Sequence, residues 1–205
     1  MKKLYIAGPE VFLPNARQQM DRKAALVRQY GFEPLCPGDL DIPKQSTKKG
    51  LGLAISRVNE GMMNDADAIV ANLTPFRGEW ADVGTVFELG YMCAKGKLVA
   101  AYSNSADDHY QRLLRYYDNQ ITVGADGHKR GSDGLSLEDF DMADNLMLDG
   151  GVERRGGLVA THAAARDEIY TDLTAFEACL KHLVELRDNQ DEGMRPEELD
   201  ASNDD

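Results

Sequence analysis

Short apolar runs alternate with stretches of helical period through the first hundred or so residues of the chain, and few folds accept that order. Lys3 to Ala7 is an apolar run closed by Gly8-Pro9, the pattern of a short buried strand. Ala16, Met20, Val27 and Tyr30 then recur at helical spacing, and Gly31 follows where a helix would stop. Phe32 to Cys36 reads as a second strand, Pro37 to Gly52 as a loop rich in proline and glycine, and Leu53 to Asn64 as a helix. Ala66 to Leu73 is a buried strand, Thr74 to Ala81 a loop, Val83 to Lys95 a helix ended by Gly96, and Lys97 to Tyr102 a further strand. Strands that alternate with helices demand crossover connections. The expected architecture is therefore a mostly parallel α/β sheet, doubly wound, with helices on both faces.

Beyond Ser103 the pattern thins. Asp107 to Tyr117 reads as a helix, Gly124 to Gly134 as a polar loop, and Leu173, Phe176, Leu180, Leu183 and Val184 mark one face of a final helix. From Arg187 to Asp205 the chain carries eight acidic and two basic side chains and few apolar ones. That composition predicts a solvated, disordered tail after a single domain over residues 1–186.

Charge narrows the function classes. The net charge is −12, and basic residues form only small clusters such as Arg154-Arg155 and His128-Lys129-Arg130, so a nucleic-acid polymer is not expected as a partner. No apolar run approaches the ~18 residues of a membrane-spanning helix. The apolar stretch at Leu4 to Ala7 meets Gly8-Pro9 too soon for a secretion signal. Cys36, Cys93 and Cys179 are far apart and lack a CxxC pair, which predicts reduced packing thiols in a cytoplasmic protein. The four histidines are scattered without metal-ligand spacing, and neither a P-loop nor a GxGxxG fingerprint occurs, so no metal or cofactor is expected.

In an open parallel sheet, ligands bind beyond the carboxyl ends of the strands. That rule selects Gly8 to Asn15, Asn72 to Ala81 and the segment after Tyr102. Asp82 stands where the helix opening at Val83 needs an N-cap. Glu88 lies inside that helix with Gly84, Thr85, Tyr91 and Met92 one turn away, and no lysine or arginine among them. A carboxylate on such a face is costly unless something uses it, and Gly84 and Gly90 leave room for a flat ligand. Two carboxylates in one cleft suit glycosidic chemistry, one attacking the anomeric carbon and the other handling the proton. The plain alternative is that Asp82 is only a cap and Glu88 points to solvent.

The opening LYIAGPEVF (Leu4 to Phe12), the core DADAIVANLTPFRGEWADVGTVFELGY (Asp65 to Tyr91) and the late DNLML (Asp144 to Leu148) together resemble the nucleoside 2-deoxyribosyltransferase family. The resemblance runs in order from about Lys3 to near Leu186 and omits the acidic tail. It implies a flavodoxin-like fold and an enzyme that moves 2-deoxyribosyl groups between nucleobases, with 2′-deoxynucleosides and free nucleobases as its partners. Glu88 would be the nucleophile forming a covalent ester, Asp82 would protonate the departing base, and Tyr5 would hold the Glu88 carboxylate. Gly8 and Phe12 would line the pocket. Asn145 would enter a neighbouring subunit's site and contact the sugar, with Met147 near it, which makes the active unit a homo-oligomer, a dimer or larger.

The chain also departs from the family pattern. Asn59 stands where the better-known members place a base-contacting aspartate, and the loop Thr74 to Ala81 is longer and carries Arg77, Glu79 and Trp80. An amide donates as well as accepts, so base preference is left open at Asn59, and Trp80 is either a stacking platform or a surface residue. Two other functions compete. One is hydrolysis of the same bond in deoxynucleoside 5′-monophosphates, for which Ser103 and Ser105 are candidate phosphate contacts. The other is a non-catalytic nucleoside sensor, which would keep its ligand without Glu88.

Overall fold

A computed structural model describes residues 1–193 of the chain. In chain order it contains β1 (Lys3–Ala7), a 3-10 turn (Pro9–Phe12), α1 (Ala16–Gln29), β2 (Glu33–Leu35), α2 (Lys48–Asp65), β3 (Ala68–Asn72) and α3 (Val83–Ala94). It continues with β4 (Leu98–Ser103), α4 (His109–Tyr116), β5 (Thr122–Val123), β6 (Lys129–Arg130), α5 (Leu146–Glu153), β7 (Val159–Thr161) and α6 (Thr174–Gly193). Five strands form one sheet in the order β2-β1-β3-β4-β7, every neighbouring pair parallel. This is the doubly wound, flavodoxin-like order, in which the chain turns back across itself between β1 and β3.

Period-two alternation along the strands sorts the core into two layers. Leu4, Ile6, Ala68, Val70, Ala100 and Tyr102 face α1 and α6, where Val27, Phe176, Leu180 and Leu183 complete the cluster. Tyr5, Ala7, Ile69, Ala71, Val99 and Ala101 face the other way, against Met62 and Met63 of α2, Leu89 and Met92 of α3 and Val152 of α5. Tyr5, Ile69 and Val70 are wholly shielded from solvent, as strands covered on both faces must be.

α5 and β7 fall where no element was expected, and three segments differ from the reading given to them. α2 begins at Lys48, inside the stretch read as loop, because Thr47 caps it by accepting the Gly50 amide at 2.9 Å. Gly50 and Gly52 therefore sit within a helix, where glycine is tolerated at a cost of ~1 kcal/mol. The polar stretch Gly124 to Gly134 contains one arm of an antiparallel hairpin formed by β5 and β6. α6 runs to Gly193, through the start of the segment read as tail, since Arg187 caps the Phe32 ring at 4.9 Å and donates to the Tyr30 carbonyl. The remainder of that segment, from residue 194, lies outside the described residues. Among the described residues no helix is long and apolar enough to cross a membrane.

Candidate active site

The crevice at the β1/β3 switch point opens into a cavity of about 520 Å³, in the ordinary range for a small-molecule site. Its wall includes Gly8 after β1, Phe12 of the 3-10 turn, Asn59 of α2, and Asp82 and Glu88 of α3. Beneath it lies Tyr5, wholly buried in β1, whose hydroxyl donates to Glu88 Oε1 at 2.7 Å. Residues from four elements, β1, the 3-10 turn, α2 and α3, thus meet at one place.

Glu88 is part-buried in the second turn of α3, and burial pushes its carboxyl up to about 7; the Tyr5 hydrogen bond opposes that rise and the nearby Asp82 charge adds to it. Tyr5 is itself driven far above the usual phenol range by burial and by the Glu88 charge, so its hydroxyl remains a donor. Asp82 is both cap and wall. Its Oδ2 accepts the Thr85 amide at 3.0 Å and the Thr85 hydroxyl at 3.2 Å, and the same carboxylate borders the cavity. The plain alternative for Glu88, a solvated carboxylate, does not fit its position against Tyr5.

Two glycines keep the wall thin. A Cβ at Gly8 would stand 2.0 Å from Glu10 Oε2 and 2.9 Å from Asn72 Cβ, so only hydrogen fits there. A Cβ at Gly84 would stand 3.0 Å from Asp82 Oδ2. Behind Gly8, Glu10 and Lys23 form a wholly buried ion pair, and Asn72 and Tyr102 also donate to Glu10 Oε1, at 2.8 and 2.9 Å. This knot anchors the turn that presents Phe12, which is 54% exposed and stacks on Phe76 with centroids 5.3 Å apart. The Arg77 guanidinium covers both rings, 5.0 and 4.7 Å from their centroids.

Other expected residues fall elsewhere. Asn145 caps α5 by accepting the Met147 amide at 3.0 Å and donates to Glu138 at 2.9 Å; Met147 is 72% exposed, and neither borders the cavity of its own chain. Trp80 packs edge-on against Tyr116 at 5.4 Å and is not part of the cavity wall. Ser103 and Ser105 border a separate, smaller cavity of about 200 Å³ beside Asp107 and Asp108. Arg17 and Asp39, by contrast, do line the main cavity and pair with each other at 2.7 Å. Neither was named from the sequence; that Asp39 follows β2 in the doubly wound order is the signal by which it could have been found. Among the described residues no group of three or more His, Cys, Asp or Glu side chains is arranged to hold a metal ion.

The chain is similar to several known proteins. A family model for nucleoside 2-deoxyribosyltransferases matches residues 4–147. The structure is similar to a 2-deoxyribosyltransferase from Leishmania mexicana, at 31% identity and a TM-score of 0.62, covering 90% of this chain and 98% of that one. It shares its fold with a conserved protein from Enterococcus faecalis at 19% identity and a TM-score of 0.53, covering 91% and 99% of the two chains. An uncharacterized protein of Schizosaccharomyces pombe is 27% identical over 199 residues, 91% of this chain and 90% of its own length. With a family match that spans more than half of the sequence and a 2-deoxyribosyltransferase 31% identical over 90% of the chain, this protein belongs to the nucleoside 2-deoxyribosyltransferase family and is an enzyme of that family.

Proposed function

We propose that this enzyme transfers the 2-deoxyribosyl group between nucleobases by double displacement through an ester on Glu88. The observation that carries the reading is the Tyr5–Glu88 hydrogen bond of 2.7 Å at a cavity that Asp82 also borders. A Glu88 carboxylate oxygen attacks C1′ as the C1′–N bond breaks, and the bonding pair leaves with the base. Asp82, as the acid, gives that base a proton. A second base then attacks C1′ from the vacated side, the ester bond breaks, and Asp82 takes the proton back. Two inversions leave the anomeric configuration unchanged. The missing 2′-hydroxyl makes the oxocarbenium-like transition state easier to reach, which favours deoxynucleosides.

The active unit on this reading is a homo-oligomer in which Asn145 and Met147 serve a neighbouring site. Support comes from the apolar face beside Glu88, where Val83 is 83% and Phe87 62% exposed. Met147 is likewise exposed on α5, a helix packed against α3. A second copy is the occupant that would cover such a face. The three buried, unpaired thiols suit a cytoplasmic enzyme.

The test is chromatographic. The protein is incubated with 2′-deoxyinosine and free adenine or cytosine, beside Glu88→Ala. New deoxynucleoside from the unmodified protein alone is the expected result. Free base without new nucleoside would move the assignment to a hydrolase, and ligand binding without turnover in both proteins would move it to a sensor.

A further inference from the structure

A buried guanidinium joins two parts of the molecule that the transfer reaction needs. Arg112 of α4 and Asp144 are 1% and 2% exposed, and Arg112 Nη2 donates to Asp144 Oδ2 at 3.0 Å. The rest of the guanidinium is spent on main-chain carbonyls: Nε on Glu79 at 2.7 Å, and Nη1 on Asp107 at 2.9 Å and Ala143 at 2.8 Å. Those oxygens belong to three different loops. Asp144 extends the same pattern, for its Oδ2 accepts the Ala81 amide at 3.1 Å and its Oδ1 the Asn145 amide at 2.8 Å. Packing alone does not call for this arrangement, because apolar side chains of the same volume fill such a space at lower desolvation cost. What the charge accomplishes is order in irregular backbone. The ordered residues adjoin Asp82 on one side and include Asn145 on the other.

We propose that Arg112, acting through Asp144, is a positioning residue that sets Asp82 in one active site and Asn145 toward the neighbouring one. The inference rests on the transfer reading above and on the shared site it includes. In an assembly, the loop that presents the proton donor of one site and the cap that serves the next are held by the same side chain. Disturbing it alters two sites at once, by different means.

Arg112→Lys keeps the charge and one contact to Asp144 but cannot span three carbonyls. Its rates are compared on two substrates differing by one electron-withdrawing halogen on the base, such as 2′-deoxyuridine and its 5-fluoro analogue, or 2′-deoxyadenosine and its 2-fluoro analogue. The halogenated base leaves more easily and needs less help from an acid. Displacement of Asp82 therefore slows the plain substrate more, by roughly a further tenfold or greater. A merely structural loss slows both equally and overturns the Asp82 half.

Coexpression tests the other half. Glu88→Ala subunits paired with Asn145→Ala subunits recover activity above either variant alone if the site is shared; no recovery overturns the Asn145 half. Arg112→Lys subunits paired with Glu88→Ala subunits receive an intact Asn145, so their KM improves while the selectivity for the halogenated base persists. Recovery of both overturns the proposal. If Arg112→Lys does not fold, Asp144→Asn, which keeps one acceptor oxygen, must show the same selectivity. An inactive unmodified protein would instead defeat the transfer reading itself.

Discussion

Glu88 occupies a place where the demands of stability and of chemistry oppose each other. Burial raises its carboxyl from 4.5 to about 7, and a carboxyl raised on folding is one whose ionisation costs stability. The folded state is favoured by the neutral acid below about pH 4, and that advantage is lost as pH rises to the folded value of about 7. Glu88→Gln is therefore expected to abolish transfer and to stabilise the protein near pH 8, by at most about 3 kcal/mol for a shift from 4.5 to about 7. Thermal unfolding at about pH 8 and about pH 4 checks this, since the gain should vanish at the lower pH. Tyr5 works in the opposite direction, for its hydrogen bond favours the ionised Glu88 carboxylate. Tyr5→Phe should move the acid limb of kcat to higher pH and lower the plateau by about 10- to 100-fold, as a pH–rate profile would show.

At the scale of elements, α3 is built to bring two carboxylates to one opening. Its cap is Asp82, its second turn presents Glu88, and Gly84 between them keeps the space clear. Gly84→Ala improves helix propensity by up to ~1 kcal/mol, yet its Cβ would press on Asp82. The contact distance there is 3.0 Å to Asp82 Oδ2. The expected outcome is an unchanged or higher melting temperature with reduced kcat. Gly8→Ala should behave differently, because its Cβ would meet the carboxylate of a buried ion pair at 2.0 Å. That variant should lose stability and activity together, by about 2–4 kcal/mol in denaturant unfolding. Long elements with strong periodicity, such as α1 and β3, were legible in the sequence. Of the shortest, β2 was read as a strand but three others were not. β7 has three residues behind Gly156-Gly157, too few for alternation to register, and β5 and β6 are two residues each. The start of α2 was hidden by glycines that normally mark loops, and only the Thr47 cap explains it.

For the whole molecule, the sheet order decides where ligand chemistry is possible. β1 leads to β2 on one side while β3 and β4 extend the other, and the crevice this leaves is where the cavity lies. A second cavity, lined by Phe87, shares Asn59, Gly84 and Glu88 with the main one, so on the proposed shared-site reading a copy covering Phe87 would lie beside the site. Phe87→Glu should leave the fold intact, as the side chain is 62% exposed, and should shift the protein toward monomer. Light scattering would measure the mass and the transfer assay the accompanying loss of turnover. A variant that remains associated and active would place the interface elsewhere.

The sequence by itself determined the layered parallel architecture, since alternating strand and helix periods permit little else. It also marked Glu88, a carboxylate without a cationic neighbour on a small, apolar helix face, and Asp82 as that helix's cap, while spacing alone left a solvated Glu88 open. Tyr5, Gly8, Phe12 and Asn59 were named from the family pattern, and only the tertiary structure decides that they surround the same space as Glu88. The same holds more strongly for Arg17 with Asp39 and for Arg112 with Asp144. Their partners lie 22 and 32 residues away in the chain, and hydrogen bonding across such separations leaves no periodic trace in a sequence. Local spacing reports what a segment can bury. Which distant polar groups then satisfy one another is settled only when the backbone brings them within reach.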